Sequence, residues 1–160
     1  MALGKADADE LAVSYFDGGF NCAEATLKAV CQVLGMEHDR VPAMATAFGG
    51  GIARRGYTCG AVSAAALAVG LALGRTDASD PRAPSYDTMG RFLDEFVQRF
   101  GTVMCKEISG VDFLTEEGQR EYKEHAHTEK CCPVVRFAAR RTCELLASAS
   151  QRGAGGAQNG

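Results

Sequence analysis

One segment of the sequence has no charged face. Residues 59–74 read CGAVSAAALAVGLALG and contain no charged side chain. A helix that is apolar on every side is a buried helix, because an exposed side would hold apolar groups in water. The segment is shorter than the about 18–20 residues that a membrane span requires. We therefore expect it to form the central helix of a globular bundle, where its alanines and glycines let neighbouring backbones approach closely.

Capping residues and glycines divide the rest of the chain into helices. Asp7 with Glu10, and Asn21 with Glu24, form capping-box patterns, and each is followed by apolar residues at helical spacing. Further helices are predicted over 87–100, 102–109 and 116–130, and two more are predicted to begin at Pro42 and Pro133. No stretch alternates with a period of two, as a half-buried strand would. The sequence therefore predicts an all-α fold, a compact helical bundle with a buried small-residue central helix.

Length, charge and the chain ends limit the classes of protein. We expect one helical domain over residues 1–148, and a flexible glycine-rich tail over 149–160, whose residues are small and polar. The net charge of −3 gives no electrostatic reason to expect nucleic acid or an anionic membrane surface as a partner. The first residues lack a basic flank followed by an apolar run, which is the pattern of a secretory signal. A cytoplasmic location is the expectation.

Seven cysteines are a high and odd number for 160 residues. A secreted disulfide scaffold is usually shorter, with an even number of cysteines, so metal ligands or redox thiols are the better interpretation. Four thiols fall at predicted helix starts, namely those of Cys22, Cys59, Cys105 and Cys132. First-turn N–H groups and the helix dipole favour negative charge there, which predicts thiolate character. Their long spacing, with no C-x-x-C pair, argues against a zinc ribbon or a thioredoxin-like active site.

The other cysteines have plainer settings. Cys31 and Cys143 lie in the middle of predicted helices beside apolar residues, which is typical of core packing. Cys131 adjoins Cys132 and is a spare ligand, a resolving thiol or an incidental neighbour. Ordinary burial is also the alternative for the four helix-start cysteines, because cysteine is among the residues most often buried.

Two further motifs accompany the cysteines. Gly49–Gly51, followed by Arg54 and Arg55, either cradles an anion or forms a structural turn that lets the chain pass close to the cysteine site. The run lacks the Lys-Ser/Thr of a P-loop and does not follow a strand. His125 and His127 precede the cysteine pair, and each is either a nitrogen ligand or a solvated side chain of a charged segment.

Four stretches resemble the C_GCAxxG_C_C family of redox-active proteins, which is named for a CGAxxG motif and three further cysteines. The stretches are FNCAEATL with Cys22, AFGGGIARRGYTCGAVSAAALAVG with Cys59, RFGTVMCKEISGVD with Cys105 and CCPVVRFAA with Cys132. The chain departs from the motif at its second glycine, which is Ala64 here. The resemblance covers most of the chain and implies a redox role, with a bound prosthetic group such as an iron–sulfur cluster.

The leading hypothesis is a small redox-active or electron-transfer protein whose four helix-start cysteines converge at the end of the central helix and ligate an iron–sulfur cluster. The metal ligands would be Cys22, Cys59, Cys105 and Cys132. Glycines beside them would bind the cofactor, namely Gly49, Gly50, Gly51 and Gly60. The partner would be a redox protein or a small-molecule electron donor or acceptor, and the sequence leaves the oligomeric state open.

Two alternatives use the same thiols. In a cofactor-free thiol–disulfide oxidoreductase, Cys59 would attack as thiolate and another cysteine such as Cys22 would resolve the mixed disulfide. In a non-catalytic binding module, the thiols would hold a structural zinc. We also expect Cys59 to be the most reactive thiol, because a helix start and the nearby Arg54 and Arg55 all favour its thiolate.

Overall fold

The computed structural model describes residues 7–155, with side chains to residue 151. The α-helices of this part are α1 (Asp7–Asp17), α2 (Cys22–Val33), α3 (Val41–Ala45), α4 (Gly60–Leu73), α5 (Ala83–Phe100), α6 (Cys105–Ser109), α7 (Glu116–Glu121) and α8 (Cys132–Gly155). A 3-10 turn, Thr46–Phe48, follows α3, and a π-helical segment, Tyr122–Cys131, joins α7 to α8. No strand forms within residues 7–155. The predicted all-α fold is confirmed.

Helix α4 is the central helix, as its composition predicts. Its small side chains at Ala61, Ala64, Ala65 and Ala68 are fully buried, and α2, α5 and α8 pack against it. Burial is not complete, because Leu71 in the last turn is 49% exposed. The N-terminal end of α4, which begins the family motif, is the part that lies deepest in the bundle.

The capping box predicted at the start of α2 is confirmed. The Asn21 side chain accepts hydrogen bonds from the N–H groups of Ala23 and Glu24, each at 3.0 Å, and the Asn21 N–H donates to Glu24 at 2.8 Å. This double cap fixes Cys22 as the first residue of the helix. At α4 the boundary differs by one residue, since Cys59 itself is the N-cap instead of Thr58.

Helix α8 does not begin at a free helix end. The chain is helical without interruption from residue 116 to 155, and the Cys132 N–H donates to the carbonyl of His127, five residues earlier. Pro133 has no N–H to donate, and its ring excludes the carbonyl four residues before it, so wider π-type turns lead up to it. The expectation that Cys132 caps a new helix is therefore wrong, because its N–H is already bonded.

Helix α8 continues to Gly155, beyond residue 149 where the tail was expected to start. Residues 156–160 of that tail lie outside the described residues. The flexibility of the tail stays a prediction. Within the described chain, no helix combines the length and the apolar character needed to cross a membrane.

Candidate cysteine site

A cavity of about 500 Å³ lies at the N-terminal end of α4. Four cysteines line it, one each from α2, α4, α6 and the end of the π-helical segment: Cys22, Cys59, Cys105 and Cys131. Three of them belong to the set that the sequence singles out. The predicted convergence of helix starts on one pocket is therefore correct for Cys22, Cys59 and Cys105.

Cys132 does not line this cavity. Its Sγ lies 3.9 Å from Asp17 Oδ1 and 3.9 Å from His127 Nδ1, on a separate groove. Consecutive residues of an α-helix point about 100° apart, which lets one cysteine of the pair face the cavity while the other faces a different groove. Cys131 faces the cavity and Cys132 faces away. The sequence indicates that this cysteine pair lies near the site. Which of the two residues faces the cavity depends on the rotation of the π-helical segment about its axis.

Backbone hydrogen bonds hold Cys59 and Cys105 side by side. The Cys59 N–H donates to the carbonyl of Val103 at 2.8 Å, and the Cys105 N–H donates to the carbonyl of Tyr57 at 2.6 Å. Thr58 and Met104 form an isolated antiparallel bridge between these bonds. The two thiols, 46 positions apart in sequence, thus have a fixed backbone relation that no helical pattern could reveal.

The glycine-rich loop walls the cavity with an uncommon backbone. Gly50 and Gly51 have φ of 63° and 70°, and the non-glycine residues 52–54 follow with φ of 63°, 49° and 64°. The left-handed region costs a non-glycine residue about 1–2 kcal/mol, so this run persists only because the surrounding structure fixes it. Gly49, Gly50 and Arg54 line the cavity, as the interpretation of the loop as a wall predicts.

Two glycines let backbone approach the thiols closely. A Cβ at Gly51 would lie 2.6 Å from Cys105 Cβ, and a Cβ at Gly60 would lie 2.6 Å from Cys22 Sγ. Real Cβ atoms do not come so close, so a side chain at either position would displace a cysteine. Gly60 thus lies against the sulfur of Cys22, while Gly51 lies against the Cβ of Cys105.

Burial raises the pKa of all four cavity thiols. The pKa of Cys105 rises to about 12, that of Cys59 lies well above 9.0, and the charge of Cys22 would raise both further. Burial also raises the pKa of Cys22 and Cys131. The predicted thiolate character is therefore wrong for the metal-free cavity, because desolvation outweighs the first-turn N–H groups. Four thiols so placed can ionise together only around a positive centre.

Backbone N–H groups oppose this effect at Cys22. The N–H groups of Gly50, Ala23 and Gly60 lower the pKa of the Cys22 thiol, although burial still dominates. Hydrogen bonds from backbone N–H to sulfur are the means by which proteins stabilise and tune ligating thiolates. Arg54 and Lys123 also line the cavity and bring positive charge to its wall.

The two histidines of the charged segment separate. His125 is 55% exposed and lies 3.8 Å from Glu129, so the solvated interpretation holds for it. His127 lies with Cys132 and Asp17 instead of in the cavity. Neither supplies a nitrogen to the four-cysteine cavity. The same charged segment contributes Tyr122 to the cavity wall. The sequence does not predict this contact, because the composition of the segment indicates a solvated helix.

Cys31 and Cys143 lie in the apolar core, at 1% and 0% exposure. Cys31→Ala and Cys143→Ala should each lower the free energy of unfolding by about 1 kcal/mol, since a small cavity replaces one sulfur. Urea unfolding measures this, and thiol and metal analysis should show unchanged redox or metal-binding behaviour. Loss of that behaviour in a folded variant would contradict the division of the cysteines into core and site.

Alkylation of the reduced, metal-free chain should label Cys132 before Cys59. Burial raises the pKa of both thiols, but Cys132 is partly exposed whereas Cys59 is 6% exposed. Because thiolate is the reactive form, a raised pKa keeps Cys59 protonated at neutral pH, and its labelling should still accelerate above pH 9.0. Timed labelling with mass mapping at neutral and alkaline pH measures both. Faster labelling of Cys59 at neutral pH would restore the expectation drawn from the sequence.

A protein-family model matches residues 20–145, and the family is described as "Putative redox-active protein (C_GCAxxG_C_C)". The chain belongs to the C_GCAxxG_C_C family. The matched part of this family member contains every cysteine of the cavity, and also Cys132. The resemblance recognised in the sequence is confirmed. Comparisons with curated proteins and with solved structures find no similar protein.

Proposed function

We propose that the chain is a small electron-transfer protein that binds an iron–sulfur cluster through Cys22, Cys59, Cys105 and Cys131. One observation carries the proposal: four thiols from four separate segments line a single cavity of about 500 Å³. Cys131 replaces Cys132, the fourth ligand predicted from the sequence, because only Cys131 of this pair lines the cavity. Cysteine thiolates are the usual ligands of such clusters.

The spacing of the thiols favours a cluster over a single zinc ion. Four thiolates at about 2.3 Å from one zinc would lie about 3.8 Å apart. Among the described residues, no three cavity sulfurs lie within 4.8 Å of one another, whereas the ligand atoms of Asp17, His127 and Cys132 do. A centre of several metal atoms holds its thiolates further apart than one zinc ion does, and therefore suits this cavity better.

The chain's own residues provide a binding environment for such a group. When bound, the cluster would supply one-electron chemistry. Burial of Cys59 and Cys105 excludes water from the ligands, at 6% and 5% exposure. The N–H groups of Gly50 and Gly60 stabilise negative charge on Cys22, and Arg54 on the wall offsets the charge of the ligand set.

The cofactor-free alternative is less favoured by the same environment. An attacking thiol works best with a pKa near ambient pH. Burial holds the pKa of Cys59 well above 9.0, so little thiolate exists for attack. A redox partner, either a protein or a small-molecule donor or acceptor, remains a proposal that the family supports. The cytoplasmic location remains a proposal drawn from the sequence alone.

Anaerobic reconstitution of the full chain with ferrous iron and sulfide tests the proposal. We expect brown protein with broad visible absorption that bleaches on reduction, together with bound iron and sulfide in comparable amounts. A paramagnetic signal in one oxidation state would identify the cluster type. Colourless protein that retains no iron after reconstitution would overturn the proposal, and a firmly bound zinc that is lost in Cys131→Ser would favour the structural-zinc alternative at the cavity thiols.

A further inference from the structure

A second set of ligand-type side chains lies outside the cysteine cavity. Cys132 Sγ is 3.9 Å from Asp17 Oδ1 and 3.9 Å from His127 Nδ1, and His127 Nε2 is 3.8 Å from Asp17 Oδ1. One ligand atom from each residue lies within 4.8 Å of the others. None of these three side chains lines the four-cysteine cavity. The set thus combines a thiol, an imidazole and a carboxylate at a place of its own.

The π-helical segment creates this juxtaposition. In a regular α-helix, the residue one turn before Cys132 is Thr128, whereas π-type bonding brings His127 beneath it, five residues earlier. π-Helical turns inside α-helices occur frequently at functional sites. The widened helix therefore does two things at once: it turns Cys131 into the cavity and aligns His127 with Cys132.

Aromatic contacts hold the His127 ring in place. The ring stacks on Phe16 with centroids 4.1 Å apart and planes 19° apart, and meets the edge of Tyr122 at 5.5 Å. Its side chain is 21% exposed. A ring held in this way loses little further freedom when it binds a ligand, which is the preorganisation that metal sites need.

Among the described residues, the ion-pair partner of Asp17 is His127, and Arg136 lines the same groove as Asp17 and Cys132. Asp17 is the last residue of α1, where the helix dipole disfavours a carboxylate, and the last turn of α1 contains no basic residue. Arg136, one turn after Cys132, pairs instead with Glu10 and lies 3.8 Å from Asp9. A cation bound between the Asp17 carboxylate and the Cys132 sulfur would offset the unfavourable interaction of that carboxylate with the helix dipole.

We propose that Asp17, His127 and Cys132 bind one divalent transition metal ion of the zinc type. Zinc takes thiolate, imidazole and carboxylate ligands at about 2.0–2.3 Å, which places tetrahedral donors about 3.4–3.7 Å apart. Cys132 Sγ and Asp17 Oδ1 lie 3.9 Å apart, and with a single His127 nitrogen all three donor atoms lie within 4.8 Å of one another, so side-chain movement alone can bring them to these separations. Asp17 and Cys132 also line a groove of about 400 Å³, from which water or a small anion can supply the fourth ligand.

Zinc titration of the reduced full chain, followed by NMR of its three histidine rings, tests this site. The ring of His127 should shift with stoichiometric zinc, by the second equivalent at most if the cavity thiols take the first. His125, two residues away and 55% exposed, is the matched control and should not shift. Cobalt in place of zinc should give the intense visible bands of a tetrahedral site with one thiolate.

Variants separate this site from the cavity. Cys132→Ser and His127→Gln should each weaken zinc binding at this site by more than 100-fold, a larger loss than the about 10–100-fold of outer-shell changes. His125→Gln should leave it unchanged. Cys131→Ser should leave the zinc shift of His127 intact, so the outcome does not depend on whether a cluster forms. The proposal is overturned if zinc leaves the His127 ring unmoved, or if His125→Gln weakens binding as much as His127→Gln.

Discussion

Replacing Cys131 with serine should abolish binding of the iron–sulfur cluster, whereas the same change at Cys132 should leave it bound. The two residues are neighbours with the same side chain, but only Cys131 lines the cavity. Loss of one of four thiolate ligands removes a strong bond and opens the centre to solvent. We expect less than a tenth of the wild-type iron in Cys131→Ser after anaerobic reconstitution, and full iron in Cys132→Ser.

Iron and sulfide analysis with the visible spectrum measures this difference, and circular dichroism shows that both variants are folded. The pair controls for the general effect of a Cys→Ser change in this stretch of helix. The opposite pattern, with iron lost only from Cys132→Ser, would mean that the helix is turned so that Cys132 faces the cluster. Equal iron in both variants would exclude the pair from the ligand set.

Gly60→Ala should disrupt the site through a single methyl group. The new Cβ would lie 2.6 Å from Cys22 Sγ and 2.9 Å from the carbonyl oxygen of Phe48. The φ of Gly60 is not positive, so the backbone accepts alanine and the effect is steric alone. Such overpacking costs about 1–3 kcal/mol, and relief requires Cys22 to move away from its N–H donors.

Gly70→Ala is the matched control, because it lies in the same helix with nothing within 4 Å of the added Cβ. It should stabilise α4 by about 0.4–1 kcal/mol, through the higher helix propensity of alanine. Urea unfolding and iron content after reconstitution measure both variants. If Gly60→Ala matched Gly70→Ala in stability and iron content, close approach of the backbone to Cys22 would not be required.

The elements that sequence predicts best are those fixed by local chemistry. The Asn21 cap and the glycines that end α4 and α5 act within a few residues, so the pattern contains all the necessary information. The small-residue helix Gly60–Leu73 is equally direct, because its apolar composition favours burial, although its last turn is partly exposed. These features place Cys22 and Cys59 at helix starts, while the packing of α2 against α4 brings them to one cavity.

What the sequence does not predict depends on tertiary structure. Whether Cys131 or Cys132 faces inward depends on the phase of the π-helical segment, and Pro133 indicates where wider turns end but not which cysteine they turn inward. The left-handed residues 52–54 are not glycines, so only their glycine neighbours hint at the loop's course. The raised pKa of Cys59 arises from burial among side chains far away in sequence, which outweighs its favourable helix position.

The two consecutive cysteines at the end of the π-helical segment have one more consequence. Because a single peptide bond joins them, any rotation of the helix that withdraws Cys131 from the cavity also swings Cys132 away from Asp17 and His127. Ligation at either place therefore resists rotation at the other. The orientation of these two neighbouring residues thus couples the buried cysteine cavity to the surface groove beside Asp17.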